Sequence, residues 1–185
     1  MFKLLTFDVS NTLLAPITKV GEQYAKVLMK QFGGGEFCVN NLQQNYEESF
    51  ARHKKILPMY GLNAKLTTKQ WWESVFLTTL INSKIATTEG IEFVGDHAKP
   101  ELIADVPLIR FNPKNANPEL VESFEDIYQN FVWEPLPNAA NLLKELDKQK
   151  KLLARGAGGQ RFAMGVITNN DERIHQVLKH HGESL

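Results

Sequence analysis

Two short apolar runs, one near each end of the chain, have the pattern of buried strands. The first covers residues 3–7 and stops at Asp8, and the second covers residues 162–167 and stops at Thr168. Runs that are apolar at most positions, rather than at alternate ones, are typical of parallel strands buried on both faces. Polar, turn-forming residues follow each run at once. The pattern therefore predicts two parallel strands, each with a polar turn at its carboxyl end.

The long segment between these runs has the pattern of amphipathic helices. Apolar residues recur there every three or four positions, which places them on one face of a helix. Thr67 or Thr68 is a suitable N-cap for the third helix, and Asn117 followed by Pro118 suits the start of the fourth. The four stretches with this spacing are Val20 to Phe32, Leu42 to Phe50, Trp72 to Leu80 and Leu120 to Phe131.

The stretch from Ile85 to Ala116 differs from its surroundings. It contains Pro100, Pro107 and Pro113 and has no sustained period, so we expect a loop-like insertion with at most short pieces of structure. After it, the α/β pattern returns. A helix is predicted to follow Pro137, and another helix follows the second strand.

The order strand, turn, helices, strand, turn, helix is typical of an α/β fold. Ligands in open α/β sheets bind outside the carboxyl ends of the strands. Both polar turns, residues 8–12 and 168–171, come at such ends. These two turns are therefore the candidate functional site.

Composition and charge exclude several classes of protein. The chain has 185 residues, 43% of them hydrophobic, with 21 basic and 21 acidic side chains. This hydrophobic content is enough to build a core. Because the charges balance, the composition does not indicate binding to nucleic acid or to an anionic membrane. The single cysteine, Cys38, excludes an internal disulfide and a cysteine-based zinc site. No run spans a bilayer and no cleavage site follows the apolar N-terminus, so we expect a soluble cytoplasmic protein.

Specific motifs resemble those of one enzyme superfamily. Asp8 and the residues up to Leu14 resemble motif I of the haloacid dehalogenase-like hydrolases, and Val166 to Asn170 resembles their motif II. The helical block between the motifs resembles the cap that this superfamily inserts after strand one. Three further stretches resemble its rhythmically-expressed-gene-2 branch: Tyr60 to Leu62, Thr67 to Trp72 and Phe131 to Leu146.

The resemblance implies an organisation in three parts. Residues 1–15 would be core strand one with motif I, and residues 16–132 the helical cap, with the loop-like insertion at about 85–117. Residues 133–185 would supply a core helix, the motif II strand and the final helix. The implied fold is a Rossmann-like parallel sheet core, incomplete at the C-terminus, with a helical cap.

The resemblance also implies roles for individual residues. Asp8 matches the nucleophile and Thr168 the hydroxyl that binds the transferring group. Thr12 and Asn169 would help to bind the substrate, which would be a small phosphorylated or halogenated molecule. Mg²⁺ is the implied cofactor, held by Asp8 and by the backbone carbonyl of Ser10, because hard oxygen ligands suit this ion.

Two departures from the superfamily pattern weaken the expectation of activity. Phosphatase members carry a second aspartate, the general acid/base, where this chain has Ser10. Losing such a group costs about 10²–10⁴ in rate, although dehalogenase members also lack it. The motif III lysine and the motif IV acids do not follow Thr168. Asp96 and Lys99 resemble them only by chance, since they come before motif II in reversed order.

Two interpretations therefore remain open. The chain is either an aspartate-nucleophile hydrolase or a non-catalytic binding protein, the latter including a truncated splice or gene-model product. We expect the 185 residues alone to be inactive, with an incomplete metal site and an aggregation-prone free edge on strand one. The protein partners are not indicated by the sequence. Trp71 and Trp72 are expected in the cap core, Cys38 as a packing residue, and Asp171 as a helix cap.

Overall fold

The computed structural model describes residues 2–94, 108–155, 161–166 and 173–181. The chain divides into two compact units. The first combines Met1–Ile17 with Val132–Leu185, and the second is Thr18–Phe131. The first unit carries a small parallel sheet and the second is mostly helical, so the protein is mixed α/β.

The described strands are β1 (Phe2–Phe7), β2 (Leu14–Pro16), β3 (Ile91–Phe93), β4 (Ile109–Phe111), β5 (Trp133–Pro135) and β6 (Arg161–Val166). The described helices are α1 (Val20–Gln31), α2 (Val39–Ile56), α3 (Pro58–Gly61), α4 (Thr68–Asn82), α5 (Pro118–Asn130), α6 (Pro137–Arg155) and α7 (Ile174–His181). A 3₁₀ turn at Leu62–Ala64 follows α3.

Strands β1 and β6 form the parallel pair that the two apolar runs predict. Phe2 lies opposite Arg161 and Phe7 lies opposite Val166. The expectation that such a strand is buried on both faces is wrong for β1, because Leu4 is 63% exposed and Leu5 is 38% exposed. Leu4 and Leu5 point to opposite faces of the strand. Within the described residues this sheet has only two strands, and neither face of β1 is fully covered.

A second, antiparallel pair of strands in the first unit was not predicted. Leu14 of β2 lies opposite Pro135 of β5, and the Ile17 N–H donates to the Val132 carbonyl at 3.1 Å. Each strand has three residues, one of them proline, so neither shows a strand period. Among the described residues of this unit, the buried core comprises Val9, Leu13, Leu14 and Ala139.

The second unit packs α1, α2, α4 and α5 around one apolar core. The predicted helical stripes supply it, with buried residues that include Tyr24, Leu28, Leu42, Phe76, Leu80 and Phe124. The N-terminus of α4 has a full capping box: Thr67 Oγ1 accepts the Gln70 N–H, and Gln70 Oε1 accepts the Thr67 N–H. At α5, Asn117 Oδ1 accepts the Leu120 N–H at 3.0 Å. Both predicted N-caps are therefore confirmed, with Thr67 rather than Thr68 at α4.

The two adjacent tryptophans lie in the second unit as expected. Trp71 is buried and its Nε1–H donates to the Leu57 carbonyl at 3.0 Å, while Trp72 is half-buried and stacks on Phe50.

The expectation that Cys38 is a packing residue is wrong. It is exposed at the N-cap position of α2, where the chain turns into the helix, and it does not pack in a core.

The stretch expected to be a loop-like insertion contains a short antiparallel pair. Ile91 of β3 lies opposite Phe111 of β4. Two backbone groups of β4 bind side chains of α4: the Ile109 N–H donates to Ser74 Oγ at 3.0 Å, and the Phe111 N–H donates to Glu73 Oε1 at 2.7 Å. Asp96 and Lys99 lie outside the described residues.

Candidate active site at the carboxyl end of strand β1

The loop after β1 is folded around a single carbonyl group. Asp8 follows the last residue of β1, and the Val9 carbonyl then accepts the N–H groups of Thr12 at 3.2 Å, Leu13 at 2.8 Å and Leu14 at 3.0 Å. The side chains of Val9, Leu13 and Leu14 are buried beneath the loop. The loop is thus fixed from the core side, while the Asp8 side chain remains exposed.

Asn11 gives the loop its sharp turn. Its φ angle is 57°, in the left-handed region that asparagine tolerates better than most residues. Its N–H donates to the Leu14 carbonyl at 2.7 Å. The turn was predicted at residues 8–12, but a left-handed backbone at Asn11 was not. An asparagine directly after a strand and its polar end is the signal that could have indicated it.

Thr12 is the described neighbour of the Asp8 carboxylate. Its Oγ1 hydroxyl donates to Asp8 Oδ2 over 3.4 Å, and both side chains are exposed. A bond this long is weak, so it orients the carboxylate without covering it. One carboxylate oxygen is therefore contacted by Thr12, and the group as a whole is open to an approaching ligand.

The end of β6 lies level with the end of β1. Phe7 and Val166 are opposite each other in the parallel register, so the two strands end at the same edge of the sheet. Thr168, Asn169 and Asp171 follow Val166 but lie outside the described residues. Their roles stay predictions.

The candidate metal-ligand atoms of Asp8 and Ser10 are oxygen atoms, the type that Mg²⁺ prefers. The Asp8 carboxylate and the Ser10 backbone carbonyl fit this ion in kind, since Mg²⁺ commonly binds through one or two carboxylates and keeps several waters. Across the described ranges, no group of three or more His, Cys, Asp and Glu side chains gathers to hold a metal ion.

Two open clefts occur away from this loop. One, of about 790 Å³, lies beside α6 and Met164 and is lined by charged residues such as Lys144, Glu145 and Lys148. The other, of about 600 Å³, lies in the helical unit beside Glu73, Phe111 and Phe124. Asp8 and Thr12 line neither cleft. In the part of the chain that the structure describes, no helix combines the length and apolarity needed to cross a bilayer.

Comparison with known proteins gives a consistent set of relatives. No family model matches the chain. The chain is similar to rhythmically expressed gene 2 protein of Drosophila melanogaster, with 28% identity over 181 residues, which is 96% of this chain and 56% of that protein. It is also similar to haloacid dehalogenase-like hydrolase domain-containing protein 3 of Xenopus laevis, with 32% identity over 183 residues, 96% of this chain and 57% of that protein.

The protein of the same name from Xenopus tropicalis is 30% identical over 180 residues, 94% of this chain and 72% of that relative. The chain therefore spans little more than half the length of the first two relatives, and nearly three quarters of the third.

Proposed function

Because the chain belongs to the haloacid dehalogenase-like hydrolase family, we propose that Asp8 is the nucleophile for hydrolysis of a small phosphorylated or halogenated molecule. The observation that carries the proposal is the exposed Asp8 carboxylate at the carboxyl end of β1, level with the end of β6. Strand ends at one edge of a parallel sheet are where such folds bind ligands.

The proposed chemistry has two steps. One oxygen of the Asp8 carboxylate attacks the phosphorus atom or the halogen-bearing carbon, and the leaving group departs with the bonding electron pair. Water then cleaves the resulting acyl phosphate or alkyl ester, releases phosphate or the alcohol together with a proton, and restores the carboxylate. The three N–H groups held by the Val9 carbonyl keep the loop rigid, so the attacking oxygen stays in place.

The other proposed roles follow the family pattern. Thr12 orients Asp8, while Thr168 and Asn169 bind the group that is transferred. Asp8 and the Ser10 carbonyl would hold Mg²⁺, which when bound supplies positive charge against the nucleophile and the phosphoryl oxygens. We further propose that the first unit is a Rossmann-like core and that Thr18–Phe131 is its cap.

A second candidate function is binding without catalysis. Ser10 occupies the position of the general acid/base, and a serine hydroxyl does not exchange protons near neutral pH as a carboxyl does. The absence of an acidic cluster among the described residues points the same way. In this alternative, Asp8 and the loop would bind a ligand and leave it unchanged.

Comparison of Asp8→Asn with wild type tests the first candidate. Both proteins would be assayed with Mg²⁺ on a generic phosphate ester and on a short 2-chloro acid. Asp147→Asn, which alters a carboxylate on α6, serves as the matched control. Any turnover that wild type shows should be lost in Asp8→Asn and kept in Asp147→Asn, whereas no turnover in wild type would agree with the expectation that the 185 residues alone are inactive. Turnover in Asp8→Asn equal to that of wild type would refute the assignment of Asp8 as the nucleophile. Substrate binding without turnover in wild type would favour the second candidate function.

A further inference from the structure

A histidine is buried where helix α2 meets helix α4. His53 is 2% exposed, and both of its ring nitrogens have partners. Nδ1 lies 2.8 Å from the Ser49 carbonyl oxygen, one turn back on α2, and Nε2 lies 2.8 Å from Ser74 Oγ on α4. Ser74 Oγ in turn accepts the Ile109 N–H of β4. One ring therefore connects three elements of the helical unit.

These partners fix the protons of the ring. A carbonyl oxygen can only accept, so Nδ1 carries the hydrogen and donates it to Ser49. In a neutral ring Nε2 is then an acceptor, and the Ser74 hydroxyl donates to it. The Ser74 oxygen also accepts the Ile109 N–H. Each donor in this chain of hydrogen bonds therefore has an acceptor.

Buried side chains surround the ring. Ser74 is fully buried, and the Trp71 ring meets the imidazole edge to face at 5.8 Å. Trp71 is itself fixed by its hydrogen bond to the Leu57 carbonyl. Such a buried serine cannot serve as a nucleophile for an external substrate, so the pair has no catalytic use.

We propose that the His53–Ser74 pair is an acid-sensitive latch that joins α2, α4 and β4, and that protonation of the ring releases it. A protonated ring places a hydrogen on Nε2. The Ser74 oxygen would then accept from both Nε2 and the Ile109 N–H, so its own hydroxyl hydrogen, which donates to Nε2 in the neutral form, would lose that acceptor. The lost acceptor and the buried positive charge both raise the free energy of the protonated form.

The charges around His53 favour the neutral form. Burial lowers the pKa of His53 below its ordinary 6.5, the Ser49 carbonyl opposes this by favouring the protonated ring, and the Arg52 cation lowers the pKa further. The groups that face the ring from α4 and β4, namely the Ser74 hydroxyl, the Trp71 ring and the Ile109 N–H, carry no charge. No carboxylate of the described residues acts on the ring to stabilise the cation.

The sign of the pH effect follows. The unfolded chain takes up a proton at His53 near pH 6.5, whereas the folded chain resists it to lower pH. The stabilisation is therefore fully present above about pH 6.5 and is lost progressively as the pH falls below it. Across that window the unfolding equilibrium constant should rise by up to about tenfold per pH unit from this one group.

The test is urea unfolding of the full chain, followed by tryptophan fluorescence at about pH 7.5, 6.5 and 5.5, in wild type and two variants. His53→Gln keeps one donor and one acceptor but does not titrate. Below pH 6.5 we expect the unfolding equilibrium constant of this variant to rise less steeply than that of wild type. The difference between the two proteins should be up to about tenfold for each pH unit. His175→Gln removes a histidine from α7 of the other unit and should keep the wild-type pH dependence. Equal pH dependence in wild type and His53→Gln would overturn the latch.

A measurement on wild type keeps the test valid if His53→Gln does not fold. Nitrogen-15 NMR of the histidine rings reports both tautomer and protonation. We expect the His53 ring to take up its proton at a lower pH than an ordinary histidine, because its pKa is lowered by burial, and to carry its hydrogen on Nδ1 while it is neutral. A ring that is half-protonated near pH 6.5, or that carries its hydrogen on Nε2, would contradict the proposal.

Discussion

At the scale of single residues, two buried serines in helices differ in whether the hydroxyl has a hydrogen-bond partner. Ser123 Oγ donates to the Glu119 carbonyl at 2.7 Å. Ser49 Oγ is buried and has no hydrogen-bond partner among the described residues. A buried polar atom without a partner costs free energy, whereas a satisfied one is close to neutral or stabilising.

This difference predicts opposite effects of the same substitution. Ser49→Ala removes an unsatisfied hydroxyl and should raise the free energy of unfolding by about 1 kcal/mol. Ser123→Ala removes a satisfied one and should lower the free energy of unfolding by about 1 kcal/mol. Urea unfolding at neutral pH measures both. A loss of stability in Ser49→Ala as large as that in Ser123→Ala would show that the Ser49 hydroxyl has a partner in solution.

Glu73 on α4 gives a pH-dependent prediction. Burial raises the pKa of Glu73 above its ordinary 4.5, while the Phe111 N–H, Lys69 and Arg110 act to lower it. Because this pKa is raised, Glu73 lowers the free energy of unfolding as the pH rises above 4.5. Below pH 4.5 it has no such effect. Glu73→Gln keeps an acceptor for Phe111 and removes the charge. Its melting temperature relative to wild type should therefore be higher at about pH 7 than at about pH 4.

A control for Glu73 separates charge from hydrogen bonding. Glu73→Ala leaves the Phe111 N–H without its acceptor, so it should destabilise the protein at both pH values. If Glu73→Gln behaved like Glu73→Ala, the hydrogen bond to Phe111 would depend on the charge, and the predicted pH dependence would be wrong.

At the scale of elements, helices α1 and α2 approach each other at Gly21. A Cβ atom at this position would lie 2.6 Å from the Val39 carbonyl oxygen and 2.7 Å from the Gln43 backbone nitrogen. The Gly21 N–H also donates to Gln43 Oε1 at 2.8 Å. The neighbouring atoms are backbone, so they cannot move aside as a flexible side chain could.

Gly21→Ala should therefore destabilise the protein although alanine is the better helix former. The gain in helix propensity is about 1 kcal/mol, and overpacking against backbone costs about 1–3 kcal/mol, so we expect a net loss. Lys26→Ala, on the exposed side of α1, is the matched control and should be nearly neutral. A higher melting temperature for Gly21→Ala than for wild type would mean that α1 and α2 separate without cost.

The elements that could be predicted from the sequence are those with local signals. The four long helices of the second unit have apolar stripes of helical period, and Thr67 and Asn117 are N-caps that act within one turn. Strands β2 and β5 were missed because three residues with a proline have no period. The exposure of Leu4 was missed for another reason, since an apolar run indicates a strand but not what covers it.

The candidate site was predictable to a similar extent. An aspartate after a buried run indicated Asp8, and the structure places it on a strand end beside Thr12. The left-handed Asn11 and the three bonds to the Val9 carbonyl depend on how the loop packs onto its own buried side chains. That packing includes residues far along the chain, such as Ala139 and Val177, so no local pattern contains it.

At the scale of the whole molecule, the two units differ in how they bury apolar side chains. The second unit closes its core with its own residues, among them Leu28, Leu42, Phe76 and Leu80, all at most 1% exposed. Within the described residues the first unit buries fewer apolar side chains, among them Val9, Leu13 and Leu14. Burial of apolar surface is the main stabilising term in folding, so we expect the core of the second unit to be sufficient for that unit to fold.

The second unit should accordingly fold when it is produced alone. Residues 18–131 contain the complete core cluster of that unit, and the Ile17–Val132 hydrogen bond shows that the flanking chain ends are neighbours in the first unit. We expect the isolated segment to show helical circular dichroism and a single cooperative urea transition. Residues 1–17 joined to 132–185 by a short Gly-Ser linker are the matched counterpart, expected to unfold without a sharp transition. A cooperative transition in that counterpart, or none in residues 18–131, would show that stability is distributed differently between the units.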